Sequence, residues 1–133
     1  MASIAFTDEW GEVIDRPEHD AIEIRWFDST ATMTGKQFND SLSRFAAEVE
    51  RTGRPRVLVD SVPFAMPMDQ MDGSWRDANI TPRYNAAGVK RFAFLMPSGM
   101  PAIGTPPSTV GPAEFPTAYF GTRRETIAWL LAG

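Results

Sequence analysis

Apolar and polar residues alternate near the start of the chain, and the alternation predicts strands. Residues 3–10 (SIAFTDEW) and 20–27 (DAIEIRWF) both show a period of two. In the second segment the isoleucines and the tryptophan share one face, and Glu23 lies on the other. The link over residues 11–20 carries Gly, Pro and several acids. We therefore expect an antiparallel pair of strands joined by a solvent-facing connection.

The apolar period changes to 3.6 near Thr34, which predicts a long helix. Thr34 and Gln37 form a capping box at its start, and Gly53 ends it. A second apolar stripe predicts helix over residues 68–87, with a break at Pro82. The chain thus passes from two strands to helical segments.

Two short, almost wholly apolar runs follow the pattern of strands that are covered on both faces. They are residues 56–60 (RVLVD) and 90–96 (KRFAFLM). Residues 96–116 hold six of the 11 prolines and are interpreted as a long loop. Residues 117–120 predict a short strand, and Thr122 begins the last helix. The order β-β-α-β-α-β-loop-β-α indicates an α/β fold with a mixed sheet.

Composition narrows the class of protein without identifying an activity. A chain of 133 residues that is 43% hydrophobic and 23% charged is typical of one globular domain, residues 1–133. It contains no cysteine and no long apolar run, so we expect a cytoplasmic protein with neither disulfides nor a membrane span. The net charge is −4, and no basic stripe indicates nucleic-acid binding. No catalytic set, metal site or cofactor is predicted.

Three segments in this order, RVLVD, TPRYNAAGVKRFAFLMP and AYFGTRRETIAWLL, resemble the bacterial SpoIIAA-like proteins of the STAS superfamily, also labelled STAS/SEC14-like. The resemblance covers most of residues 20–131. The matching positions are Asp60, Pro82, Gly88, Ala93, Pro97, Tyr119, Phe120, Trp129 and Leu130. The family implies a small regulatory α/β domain with helices packed on a mixed sheet. Its best-understood relatives are switched by phosphorylation of a serine at a helix start.

The chain departs from the family where that serine belongs. The turn before the second helix reads Pro67-Met68-Asp69-Gln70, which contains no hydroxyl group. Ser61 lies earlier, at the end of a strand, and Ser74 lies about one turn into the predicted helix. A phosphorylation switch at Ser61 or Ser74 would therefore be a variant of the regulatory role that departs from the family's motif.

Asp60 and Ser61 lie where an open α/β sheet binds ligands, at the carboxyl end of a predicted parallel strand. Asp60 together with Asp69 or Asp72 could supply oxygen ligands to a metal in an enzyme. Alternatively, Asp60 only caps backbone N–H groups in the turn after a core strand.

Methionine and aromatic residues follow both central strands. If the strands are parallel, these side chains gather at one rim of the sheet and form an adaptable apolar surface or pocket. The alternative is that they only pack the loops onto the sheet. The candidates are Phe64, Met66, Met68, Met71, Trp75, Met96, Met100 and Phe115.

These observations predict a non-enzymatic binding or regulatory domain. In the first hypothesis the Met/Phe rim contacts a protein partner or a second copy of the chain, giving a homo-oligomer. In the second it holds a small apolar ligand such as a lipid or an acyl chain. The third hypothesis is the metal-dependent enzyme based on Asp60.

Overall fold

The computed structural model describes residues 2–67, 69 and 71–132 of the chain. Within them, seven strands form one sheet. The strands are β1 (Ser3–Thr7), β2 (Gly11–Arg16), β3 (Ala21–Trp26), β4 (Arg56–Asp60), β5 (Arg91–Leu95), β6 (Ser108–Thr109) and β7 (Pro116–Phe120). Their order across the sheet is β1-β2-β3-β4-β5-β7-β6. Strands β3, β4, β5 and β7 are parallel, and the remaining pairs are antiparallel, so the α/β class with a mixed sheet is confirmed.

Four α-helices and two short 3-10 helices, Pro17–His19 and Asp28–Thr32, complete the described fold. The α-helices are α1 (Gly35–Thr52), α2 (Gly73–Asn79), α3 (Thr81–Ala87) and α4 (Arg123–Leu131). None of them combines the length and apolarity that a membrane crossing requires.

The capping box that predicts the start of α1 is confirmed. The Gln37 N–H donates to Thr34 Oγ1 at 3.2 Å, and Gln37 Oε1 accepts from the Thr34 N–H at 2.9 Å. Gly53 ends the helix with φ +66°, a left-handed conformation that favours glycine. The helix therefore has the bounds that its end signals predict.

The prediction of a solvent-facing link over residues 11–20 is wrong. Residues Gly11–Arg16 form β2, which pairs with both β1 and β3, so the two predicted strands are not neighbours. Val13 and Ile14 are 3% and 5% exposed on opposite faces of the sheet. The acids that made the segment look like a loop are paired instead; Asp15, for example, accepts from Arg54 Nε at 2.9 Å.

The helical region predicted over residues 68–87 contains two helices that meet at Ile80, so the predicted break is confirmed. Helix α2 begins after Asp72, whose carboxylate accepts from the N–H groups of Ser74 and Trp75 at 3.0 and 3.3 Å. Pro82 lies in the first turn of α3, where an N–H group has no partner within the helix. Pro82 therefore starts the second helix at the predicted break.

The Pro-rich segment over residues 96–116 is also more ordered than the predicted loop. Its residues Ser108–Thr109 form β6 and pair with the start of β7. Asn85 on α3 fastens the segment, because its amide donates to the Pro112 carbonyl at 3.0 Å and accepts from the Glu114 N–H at 2.9 Å.

The helices divide unequally between the two faces of the sheet. Side chains of α1, α2 and α3 pack with one set of strand residues in the larger core, which includes Ile22, Val57 and Phe92. We call this side the three-helix face. Helix α4 covers the other side, the one-helix face, where Leu130 packs on Leu58 and Ala93.

Candidate ligand-binding cavity

A cavity of about 430 Å³ lies between the sheet and the helices on the three-helix face. Strands β3, β4, β5 and β7 supply its floor through Ile24, Trp26, Val59, Phe92, Phe94 and Tyr119. Helices α1, α2 and α3 supply Phe38, Leu42, Phe45, Arg76 and Tyr84. The segments that follow β4 and β5 also line the cavity, so it lies at the carboxyl ends of these parallel strands. This is the region in which open α/β sheets bind ligands.

The aromatic lining follows from the alternation of strand residues. Phe92 and Phe94 are two positions apart on β5, so both rings project from the same face. Their centroids lie 5.2 Å apart, and Phe94 stacks on Tyr119 of β7 at 5.2 Å. At the other side of the cavity, Trp26 lies 5.6 Å from Phe38 and 5.2 Å from Phe64. Mutual ring contacts at these distances hold the walls in place.

The loop after β4 is fixed to its neighbours by hydrogen bonds at two points. The Ser61 N–H donates to the Leu95 carbonyl at 2.9 Å, which continues the pairing of β4 with β5. The fully buried Thr30 donates to the Phe27 carbonyl at 2.7 Å and accepts from the Ala65 N–H at 2.8 Å. The loop is thereby held as an outer wall of the cavity.

The structure brings many of the predicted rim residues together around this cavity. Its lining includes Ser61, Phe64, Met66, Met71, Met96 and Met100. Met66 is 4% exposed, whereas Met100 is 39% exposed and lies at the margin. Phe115 is buried against Phe92 and Tyr84 behind the lining. Trp75 packs against the same core, and Met68 lies outside the described residues.

Asp60 lies on the other side of the sheet from the cavity. Its neighbours there are Arg25 Nε at 3.6 Å and Arg123 Nη1 at 3.9 Å, and its Oδ1 accepts from the Val62 N–H at 3.2 Å. That last bond is the one expected of a turn-capping aspartate. Asp60 and Ser61 are adjacent in the sequence, yet they face different sides of the sheet.

The remaining candidate side chains near α2 take part in helix capping. Ser74 Oγ donates to Asp72 Oδ1 at 2.6 Å, and this bond contributes most to holding the pKa of Asp72 below its usual value. Within the described part of the chain, no group of three His, Cys, Asp or Glu side chains is placed to hold a metal ion. Ser74 and Asp72 thus have a structural role that explains their positions.

Sequence reasoning missed the aromatic residues that the strands supply to the cavity and two of its polar residues, Arg76 and Tyr84. Trp26, Phe92 and Phe94 were interpreted only as buried strand residues, although their shared face was readable from the alternation. No pattern in the sequence indicates that Arg76 and Tyr84 belong to a binding site. Burial raises the pKa of Tyr84 well above its usual value, against the opposing effect of the positive charges of Arg76 and Arg83. The Tyr84 hydroxyl therefore stays protonated to a higher pH than an exposed tyrosine does.

The one-helix face holds a charged cluster. Glu23 is fully buried there, hydrogen-bonded by Arg123 and by Arg16 Nε at 2.5 Å, with Arg25 Nη2 at 3.6 Å. Burial alone would raise the pKa of Glu23, but the hydrogen bonds from Arg123 and Arg16 outweigh it, and the pKa is lowered. The carboxylate is charged and fully engaged within the protein, which favours a structural role for this cluster.

Comparison of the chain with protein-family models, with curated proteins and with solved structures finds no match.

Proposed function

We propose that the protein is a non-enzymatic binding domain that holds a small apolar ligand in the cavity of the three-helix face. The observation that carries the proposal is the size of this cavity, about 430 Å³, together with its mainly apolar and aromatic lining. Ligand sites of proteins typically enclose about 300–1,000 Å³ and have such a lining with a few polar groups.

The cavity volume sets the size of the ligand. An apolar cavity of about 150 Å³ accommodates one benzene molecule, so 430 Å³ accommodates roughly 15 to 20 non-hydrogen atoms. Trp26 on β3 and Tyr119 on β7 lie three strand spacings apart, about 14 Å, which is the length of an extended chain of about a dozen carbons. A medium-length acyl chain fits both dimensions.

Four methionines give this lining the adaptability that a ligand of variable shape requires. Met66, Met71, Met96 and Met100 are unbranched and polarisable, and they come from both loops at the carboxyl ends of the strands. Ala65 and Met100 are the exposed members of the lining, so the entrance lies between these two loops.

The regulatory domain that contacts a protein partner through its apolar rim stays a prediction, as do homo-oligomerisation and membership of the STAS superfamily. Most of the rim side chains on which the partner prediction rested point inward here. Met66 and Phe115 are 4% and 3% exposed. The apolar ligand is the hypothesis that gives these buried side chains a function. The enzyme based on Asp60 has less support, because Asp60 faces away from the cavity.

Binding of a neutral probe tests the proposal. Dodecanol titrated into the purified protein, followed by calorimetry and native mass spectrometry, should form a one-to-one complex and raise the melting temperature. Val59→Phe places a larger side chain into the cavity and should weaken binding at least about tenfold, because ring and ligand compete for the same space.

The control variant is Leu131→Phe, which enlarges an exposed side chain of α4 on the other side of the sheet. It should bind dodecanol as the wild type does. Equal binding by Val59→Phe and the wild type, or no complex with dodecanol and no co-purifying ligand, would contradict the proposal.

A further inference from the structure

We infer that the ligand is an amphipathic acid whose carboxylate pairs with Arg76 at the β5–β7 end of the cavity. The inference rests on the proposed function and adds the chemical class of the ligand. It starts from a positive charge that lines an apolar cavity. Arg76 Cζ lies 5.8 Å from the centroid of Phe92 and 6.0 Å from that of Phe94, so both rings position its guanidinium group.

Arg76 differs from the other half-buried arginines of the described chain. Each of the others donates a side-chain hydrogen bond to a carboxylate or a backbone carbonyl; these are Arg16, Arg25, Arg54, Arg56, Arg83, Arg91 and Arg123. Arg76 has neither such a bond nor an ion pair among the described residues, although the chain has 17 acids. A partly desolvated guanidinium without an acceptor is a ready partner for an anion.

Tyr84 supplies a second, independent observation. It is 1% exposed and lines the cavity, and its hydroxyl has no hydrogen-bond partner among the described residues. Within that same part of the chain, Ser41 Oγ is the only side-chain polar atom that is fully enclosed without a partner. Tyr84 thus brings to the cavity lining a hydroxyl that has no protein partner within the described ranges and can donate to a ligand oxygen.

The polar groups lie toward one end of the cavity, which orients the ligand. Arg76, Tyr84 and Tyr119 all contact the Phe92–Phe94 pair on β5. The opposite end, around Trp26 and Phe38, has an apolar lining. A carboxylate at Arg76 with an acyl chain running toward Trp26 places each part of the ligand against matching chemistry.

A comparison of two ligands of equal chain length tests the inference. Dodecanoate and dodecanol are titrated by calorimetry at pH 7.5, below the concentration at which either self-associates. Dodecanoate should bind about ten- to a hundredfold tighter, because charge-assisted hydrogen bonds replace neutral ones. In Arg76→Gln the preference for dodecanoate over dodecanol should disappear. Arg76→Lys, which keeps the charge, should retain part of the preference.

Arg124→Gln is the matched control, because it removes the same charge from an exposed position on α4. It should leave the preference for dodecanoate intact, and Tyr84→Phe should reduce it by a smaller factor than Arg76→Gln does. Equal affinity of the wild type for both ligands, or a preference that survives in Arg76→Gln, would overturn the inference and leave the proposed function standing. Failure of both ligands to bind would instead overturn the proposed function.

Discussion

The two faces of the sheet differ in how their side chains cover the four parallel strands. On the three-helix face, aromatic and methionine side chains line a cavity of about 430 Å³. On the one-helix face, Leu58 and Ala93 pack tightly under Leu130, and Glu23 is hydrogen-bonded by surrounding arginines. Neighbouring residues of a single strand, Leu58 and Val59, belong to these different environments.

This difference indicates that the one-helix face stabilises the fold and that the three-helix face is the one suited to binding a ligand. The one-helix face is close-packed, and its buried charge has protein partners, so little on it is left for another molecule to satisfy. The arginines there also bind the end of α4: Arg56 donates to the Leu130 carbonyl at 2.8 Å, and Arg91 lies 4.7 Å from the Trp129 ring. The three-helix face leaves both space and unpaired polar groups, which is the combination that a ligand can complete.

The largest effect should come from breaking the charged cluster. Glu23→Gln removes a buried carboxylate from Arg16 and Arg123 and should lower the free energy of unfolding by about 3 kcal/mol. Urea denaturation measures the change. Glu50→Gln is the control, because Glu50 pairs with Arg83 near the surface and should cost no more than about 1 kcal/mol. Equal losses in both variants would show that the cluster has no special role in stability.

Introducing a phenylalanine on each face should destabilise the protein by unequal amounts. Leu58→Phe enlarges a side chain in the close-packed one-helix face and should destabilise the protein by about 1–3 kcal/mol. Val59→Phe enlarges its neighbour next to the cavity and should cost less than about 1 kcal/mol. Thermal and urea unfolding of the pair measure this, and a greater loss in Val59→Phe would mean that the cavity does not accept added volume.

The loss of stability at low pH should also arise on the one-helix face. Because the pKa of Glu23 is lower in the folded protein, its stabilisation is fully present above the usual glutamate pKa of about 4.3 and is lost as the pH falls through the lowered value. The free energy of unfolding should therefore fall below about pH 4 in the wild type and fall less steeply in Glu23→Gln. Identical slopes in the two proteins would refute this assignment.

The smallest effect should come from the capping box at the start of α1. Thr34→Ala removes the capping bond to the Gln37 N–H and should cost about 1 kcal/mol by urea denaturation. Thr105→Ala, an exposed threonine in the Pro-rich segment, should change stability by less than about 0.5 kcal/mol. A change in ligand affinity in Thr34→Ala would show that the cavity depends on the start of α1 more than its geometry suggests.

The sequence predicts those parts of the fold whose signals are local. The Thr34–Gln37 capping box, the stop at Gly53 and the apolar strands β4 and β5 depend on residues that are close together in the chain. Strand β2 was missed because its acids resemble those of a loop. Asp15 is compatible with a strand only because Arg54 pairs with it, and no local pattern reveals a partner so distant.

The sequence predicts where the candidate site lies but not whether its side chains surround an open cavity. Methionines after β4 and β5 indicate that side chains gather at one end of parallel strands, and four of them do line the cavity. Whether they fill the space or surround it depends on how far α1 and α3 stand from the sheet, which no residue pattern encodes. The burial of Glu23 likewise depends on Arg123, which lies a hundred positions away in the chain.

The methyl signals of the methionines test the central claim, that the cavity of the three-helix face binds an apolar ligand, most directly. In a protein with ¹³C-labelled methionine methyl groups, dodecanoate should shift the signals of Met66, Met71, Met96 and Met100, which line the cavity. Met33 is the internal control, since it is 2% exposed in the same core without lining the cavity, and its signal should stay in place. Unchanged signals of all four lining methionines at saturating dodecanoate would contradict the account.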